Sequence, residues 1–188
     1  MPRARHCVGD GEGKMTIWVT ADTHLGHKNI IEYTNRPFEG VNEMDETLIA
    51  NWNARVGKKD IVYHLGDFSW KPPIVYLNRL NGKVRLIRGN HEFRLARKHL
   101  ECFDSVKDVC QIKYEGKKFW LSHYAHRTWP SKGYSAIHLF GHSHGTLEDH
   151  GLSTDVGVDC SERIVGHAYS PISLDEIIEY MRRKHDIY

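Results

Sequence analysis

Five short apolar runs in this chain each end in a small polar cluster, and that repeated ending is what most constrains the fold. Residues 16–21 run into Asp22-Thr23-His24, 61–65 into Gly66-Asp67, and 84–87 into Arg88-Gly89-Asn90-His91-Glu92. Residues 119–121 run into Ser122-His123, and 137–140 into Gly141-His142-Ser143-His144. Short apolar runs bounded by glycine and polar residues read as buried strands. In open α/β sheets, sites lie outside the carboxyl ends of strands, so the five clusters are expected to meet. They deliver carboxylates, imidazoles and an amide, with no thiolate. Such a set suits Mn, Fe, Zn or a similar divalent ion better than a cysteine-rich structural zinc. Taken singly, each cluster is ordinary: Asp and Thr cap helices, and Gly-Asp is a common turn pair.

The segments between the runs predict helices near residues 29–34, 43–56, 72–80 and 93–100. In the second of these, Asn42 is the expected N-cap, and Met44, Leu48, Trp52 and Val56 share one face at helical spacing. The amino end of the 93–100 helix is expected beside the site, where it would favour anions. Residues 103–121 change character and predict an antiparallel hairpin turning at 115–118. Two further strands are expected at 154–160 and 164–168. Ser173-Leu174-Asp175-Glu176 is a capping box opening a last helix.

The chain has 188 residues, 40% of them apolar, which favours one globular domain over residues 15–188. Residues 1–14 are polar and glycine-rich without periodicity and read as a flexible tail, with Met15 a candidate start. Lys and Arg number 26 against 24 Asp and Glu, so there is no basic field of the size long nucleic acid requires. No run approaches about 18 apolar residues, so no membrane span is expected. Cys7, Cys102, Cys110 and Cys160 show no CxxC spacing and follow no secretory leader. They read as idle thiols of a reducing compartment, which points to the cytoplasm.

The ordered set Asp22-x-His24, Gly66-Asp67, Gly89-Asn90-His91-Glu92, His123 and Gly141-His142-x-His144 resembles the calcineurin-like metallophosphoesterase superfamily. Residues 155–159 and 171–176 also resemble its small bacterial and phage members. The resemblance implies an α/β fold, a four-layer α/β/β/α sandwich of two mixed β-sheets flanked by helices. It implies two divalent metal ions, Mn foremost, with Fe, Zn, Ni or Co as alternatives. Asp22, His24 and His144 would hold the first and Asn90, His123 and His142 the second, with Asp67 bridging. A metal-bridging hydroxide would attack phosphorus, and His91 would act as general acid.

One departure stands out. Many members carry an acidic residue three positions after the Asp of Gly-Asp, supporting the catalytic histidine; here Trp70 stands there, so His91 needs another partner. Asn90, Arg127, His27, Arg36 and His126 are the candidates for contacting substrate, Arg127 foremost because a guanidinium fork suits phosphate oxygens. The expected activity is hydrolysis of a small, nucleotide-sized phosphodiester or phosphomonoester. The alternatives are a metal-dependent nuclease on short oligonucleotides and a non-catalytic binding protein with a vestigial metal site.

Overall fold

The computed structural model describes residues 15–185; the tail expected over residues 1–14 lies outside them. Strands β1 (Ile17–Thr20), β2 (Ile61–His64), β3 (Lys83–Ile87) and β4 (Ser105–Lys107) run parallel, and the two-residue β9 (Ile172–Ser173) pairs antiparallel with β1. The order across this sheet is β4-β3-β2-β1-β9. A second sheet has the order β5-β6-β7-β8, built from β5 (Val109–Tyr114), β6 (Lys117–Ser122), β7 (Ile137–Phe140) and β8 (Ser153–Asp155). The β5–β6 pair is the expected hairpin; β6, β7 and β8 are parallel.

Alternation along each strand decides what packs where. Val19, Ala21, Ile61, Tyr63, Leu65 and Ile87 of the first sheet share one core with Phe119, Leu121, Ile137 and Leu139 of the second. Leu174, Ile177, Ile178 and Met181 of α6 (Leu174–His185) join that core. The intervening residues Trp18, Val62, Val84 and Leu86 face the other way, onto Met44, Leu48, Ile49 and Trp52 of α2 (Val41–Arg55), with Ile30 of α1 (Ile30–Tyr33) and Tyr76 of α3 (Ile74–Leu77). Two mixed sheets flanked by helices result, and all the clusters singled out above lie at strand ends.

Several local expectations are corrected. Helix α2 starts at Val41 with Gly40 as N-cap, so Asn42 lies inside it; the Glu39 amide is satisfied instead by Glu43 Oε2 at 2.7 Å. The segment 93–100 forms no continuous helix: a 3-10 turn (Glu92–Arg94) is separated from α4 (Arg97–Leu100) by extended backbone at Leu95 and Ala96. This segment therefore brings no long helix's amino end to the site. The strand expected over 154–160 stops at Asp155, because its Oδ1 accepts from the Gly157 amide at 2.8 Å and turns the chain. A 3-10 turn (Val158–Cys160) follows. Residues 161–165 are helical, not extended: α5 (Ser161–Val165) closes on Gly166 with φ 73°. Its β-branched Ile164 and Val165 gave a strand-like local signal that packing overrides. The capping box stands as expected, Ser173 N donating to Glu176 Oε2 at 2.8 Å and Glu176 N to Ser173 Oγ at 3.2 Å. Among the described residues no helix is long and apolar enough to cross a membrane.

Candidate metal centre

The five strand ends do converge, and three of them do so by reversing the backbone. Asp22, His24, Asp67, His142 and His144 all take left-handed φ values between 46° and 68°. For a residue with a Cβ that region costs roughly 1–2 kcal/mol, and such outliers gather where surrounding contacts over-determine them. Those contacts are visible. The Asp22 amide donates to Gly66 O and the His24 amide to Asp67 O, both at 3.0 Å. Asp22 Oδ2 accepts from the His142 amide at 2.8 Å, and Asp67 Oδ1 from the His91 amide at 3.1 Å. A Cβ on Gly141 would lie 2.5 Å from Asp22 Oδ2, and one on Gly89 would collide with Asp67 Oδ1. Glycine at those two positions is what lets backbone approach the carboxylates.

Beneath this layer sits Glu92, fully buried. Its Oε2 accepts from the amides of Asp67 (2.9 Å) and Gly89 (2.7 Å), and its Oε1 from that of Phe68 (2.8 Å). One carboxylate thus ties the ends of β2 and β3 together. The motif reading left Glu92 without a role.

The ligand-type atoms form three overlapping sets. Asp22, His24 and His144 converge, as do Asp67, His123 and His142, and His24, Asp67 and His91; within each set the atoms lie inside 4.8 Å of one another. Asp67 Oδ2 is 3.6 Å from His24 Nε2 and 3.7 Å from Nε2 of both His91 and His123. These distances are too long for hydrogen bonds, yet those to His24 and His123 match two ligands about 2.1 Å from a shared cation. Asp22 Oδ1 and His24 Nε2 are buried with no hydrogen-bond partner, a costly state unless something else satisfies them.

The tautomers point the same way. His123 Nδ1 is 2.7 Å from the Leu65 carbonyl, which can only accept, so Nδ1 carries the proton and Nε2 offers its lone pair. That lone pair faces Asn90 Oδ1, another acceptor, at 3.1 Å. Side by side, the imidazole nitrogen and the amide can share a cation. His144 Nδ1 is fixed likewise by Asp159 Oδ2 at 2.7 Å, freeing its Nε2. The residues present fit divalent cations.

Asp159 in turn accepts both arms of the Arg36 guanidinium, Nε to Oδ1 and Nη2 to Oδ2, each at 2.8 Å. Arg36 also donates to the carbonyls of Asp22 and Thr23, at 2.7 and 3.0 Å. Expected as a substrate contact, Arg36 is only 3% exposed and is turned inward. It orients Asp159, and Asp159 orients His144, a carboxylate–histidine pairing of the kind that steadies a metal ligand. Asp159→Asn is expected to weaken divalent-ion binding by about 10–100-fold, measured by calorimetry; an unchanged affinity would remove Asp159 from that role.

The electrostatics match this arrangement. Burial raises the pKa of Asp22 well above the carboxylate range, and the neighbouring charges of Asp155 and Asp67 raise it further. Burial likewise raises Asp67 and Asp155. Burial would raise Asp159 too, but hydrogen bonds from His144 and Arg36 hold it below its usual value. Crowded buried carboxylates call for positive charge. Burial depresses His24 strongly and brings His123 to about 4, so both are neutral and ligand-competent at neutral pH.

Of the other expected contacts, His27 and Asn90 line the main pocket, together with His91. His27 stacks flat on Trp70, ring centroids 4.3 Å apart, and Trp70 meets the His91 ring edge-on at 5.4 Å. An indole thus stands beside His91 where a carboxylate was looked for. His126 and Arg127 are elsewhere: they line a second cavity of about 340 Å³ that shares only Leu147 with the main one. The His126 amide donates to the buried His138 Nε2 at 2.9 Å, and its Nδ1 accepts from Trp120 Nε1 at 2.9 Å. These bonds hold the segment on the second sheet's outer face, away from the cluster.

Three comparisons place the chain among known proteins. The calcineurin-like phosphoesterase superfamily domain matches residues 15–155. The uncharacterized protein MJ1445 of Methanocaldococcus jannaschii is 35% identical over 173 residues, covering 89% of this chain and 92% of that protein. The gene 66 protein of Mycobacterium phage L5 is 28% identical, covering 90% and 95%. Among solved structures, the AQ665 protein of unknown function from Aquifex aeolicus superposes with a TM-score of 0.67 at 25% identity, covering 88% of this chain and 99% of that one.

Proposed function

The chain belongs to the calcineurin-like phosphoesterase superfamily, and on that premise we propose that it is a dinuclear metal-dependent hydrolase of small phosphate esters. The observation that carries this reading is the position of Asp67 Oδ2, within 3.7 Å of the Nε2 atoms of His24, His91 and His123. A carboxylate there can serve two ligand sets at once. Asp22, His24 and His144 would form one set, and Asn90, His123 and His142 the other. Two divalent cations, Mn foremost, would supply charge neutralisation at phosphate and a water acidified toward neutral pH.

The remaining work falls to the chain itself. Asn90 contributes an oxygen without negative charge, which spares an incoming phosphate one more repulsion. His91 is the natural proton donor: its side chain is 25% exposed and lines the open pocket, while its amide is anchored on Asp67 Oδ1. A departing alkoxide is a strong base and needs a proton as the P–O bond breaks. His91→Ala is therefore expected to lower kcat by about 10²–10⁴-fold on esters with alkyl leaving groups. The loss should be much smaller for p-nitrophenolate, which leaves without protonation. Equal losses on both ester types would exclude the proton-donor role. The wider reading is tested by hydrolysis of bis(p-nitrophenyl) phosphate with added Mn, Co, Ni or Zn and its arrest by a chelator; inactivity with every ion would overturn it.

A further inference from the structure

The Asp22-Thr23-His24 turn presents two ligand candidates from left-handed backbone, φ 56° at Asp22 and 50° at His24. Thr23 lies between them and is buried. Its hydroxyl donates to the Phe68 carbonyl at 2.7 Å, in the turn that carries Asp67. The hydroxyl has one proton and that bond uses it. The 3.0 Å contact between Thr23 Oγ1 and His64 Nε2 therefore takes its proton from the imidazole. His64 is the last residue of β2 and has no exposed surface. Burial brings its pKa down to about 3, so the ring is neutral at neutral pH and its single proton sits on Nε2. Nδ1 is left a bare lone pair, with no hydrogen-bond partner among the described residues. Around the ring are Phe68, edge-on at 5.0 Å, and Trp52, at 6.5 Å. A buried imidazole with one nitrogen unsatisfied fills such a place less well than an aliphatic side chain would. What it adds there is the N–H aimed at Thr23.

We propose that His64 and Thr23 are a positioning pair for the metal centre, whose hydrogen-bond chain from His64 Nε2 through Thr23 Oγ1 to Phe68 O fixes the turn bearing Asp22 and His24 against the turn bearing Asp67. The inference rests on the two-ion reading of the site above and adds two residues that are not themselves ligands. Backbone bonds already lace the turns together, His24 N to Asp67 O and Leu25 N to Phe68 O, both at 3.0 Å. Thr23 is the residue between the two left-handed positions. Arg36 holds its carbonyl at 3.0 Å, and the chain from His64 holds its side chain. Backbone in sparsely populated regions persists only where such contacts over-determine it. Without the chain the turn can relax toward ordinary φ values. Asp22 and His24 would then shift relative to Asp67, whose Oδ2 now lies 3.6 Å from His24 Nε2.

Three variants of the full chain separate positioning from packing, read by calorimetric titration with Mn and by the Tm of the metal-free protein. His64→Leu removes the chain but orphans nothing, because the Thr23 hydroxyl keeps the Phe68 carbonyl. Its Tm should equal or exceed the wild-type value, while Mn affinity falls by about 10–100-fold, as loss of an outer-shell partner does. Thr23→Val leaves the His64 N–H buried and unpaired, so Tm and affinity should both fall. Thr23→Ser keeps both bonds and should bind Mn as the wild type does. A role in packing alone would make affinity follow Tm across the three. His64→Leu or Thr23→Val binding Mn at wild-type strength overturns the proposal and leaves the two-ion reading standing. A wild type that takes up no divalent ion sinks both.

Discussion

Asp67→Asn is expected to abolish turnover, with a loss on the order of 10³-fold or more, because it removes several kcal/mol of charge stabilisation by the bound ions. The substitution keeps the shape of the side chain. Its amide oxygen can still accept from the His91 amide, as Oδ1 does now at 3.1 Å. That choice puts an NH2 group where Oδ2 stands, facing the Nε2 atoms of His24 and His123. An NH2 group cannot bridge two cations. Folding should not suffer, since burial already raises the pKa of Asp67 and so opposes its charge in the absence of metal. The metal-free variant should therefore melt at or above the wild-type temperature, while the rise in Tm that divalent ions give the wild type disappears. A variant that still gains stability with Mn as the wild type does would show that Asp67 is no bridge.

Glu92→Ala has the opposite character, with stability as its main readout. Three backbone amides, of Asp67, Phe68 and Gly89, donate to this one buried carboxylate. Each orphaned buried donor costs about 1–3 kcal/mol, so the sum takes a large part of the roughly 5–15 kcal/mol that holds an average domain folded. Glu92→Gln cannot repair it: its oxygen can serve Asp67 and Gly89, but its NH2 then meets the Phe68 amide, donor against donor. Urea unfolding followed by circular dichroism should show Glu92→Ala close to unfolded in water and Glu92→Gln clearly weakened. If both variants unfolded at the wild-type midpoint, Glu92 would not be the tie between β2 and β3.

Both predictions contrast what was legible in the chain with what was not. Asp67 is marked as a ligand by the family that the five ordered clusters resemble, each cluster being confined to a few residues. Glu92 sat in an equally visible motif, but its task depends on amides 24 and 25 residues away. Asp159 and Arg36 are 123 residues apart and meet only through the fold. A guanidinium near a phosphate site reads as a substrate contact until its burial is known. Arg127 lies in a neighbouring cavity for a related reason: it follows His123 closely, yet the buried His138 draws its loop to the other face of the sheet.

The sequence by itself determined which carboxylates, imidazoles and amide arrive and from which strands, since glycine punctuation and a two-residue alternation are local properties of the chain. Only the tertiary structure decided which oxygen faces which imidazole, which charges are turned inward, and what walls the pocket has. Those depend on how segments distant in sequence pack. The left-handed turns at Asp22, Asp67 and His142 are held by bonds between strand ends, none of which exists until the sheets have formed.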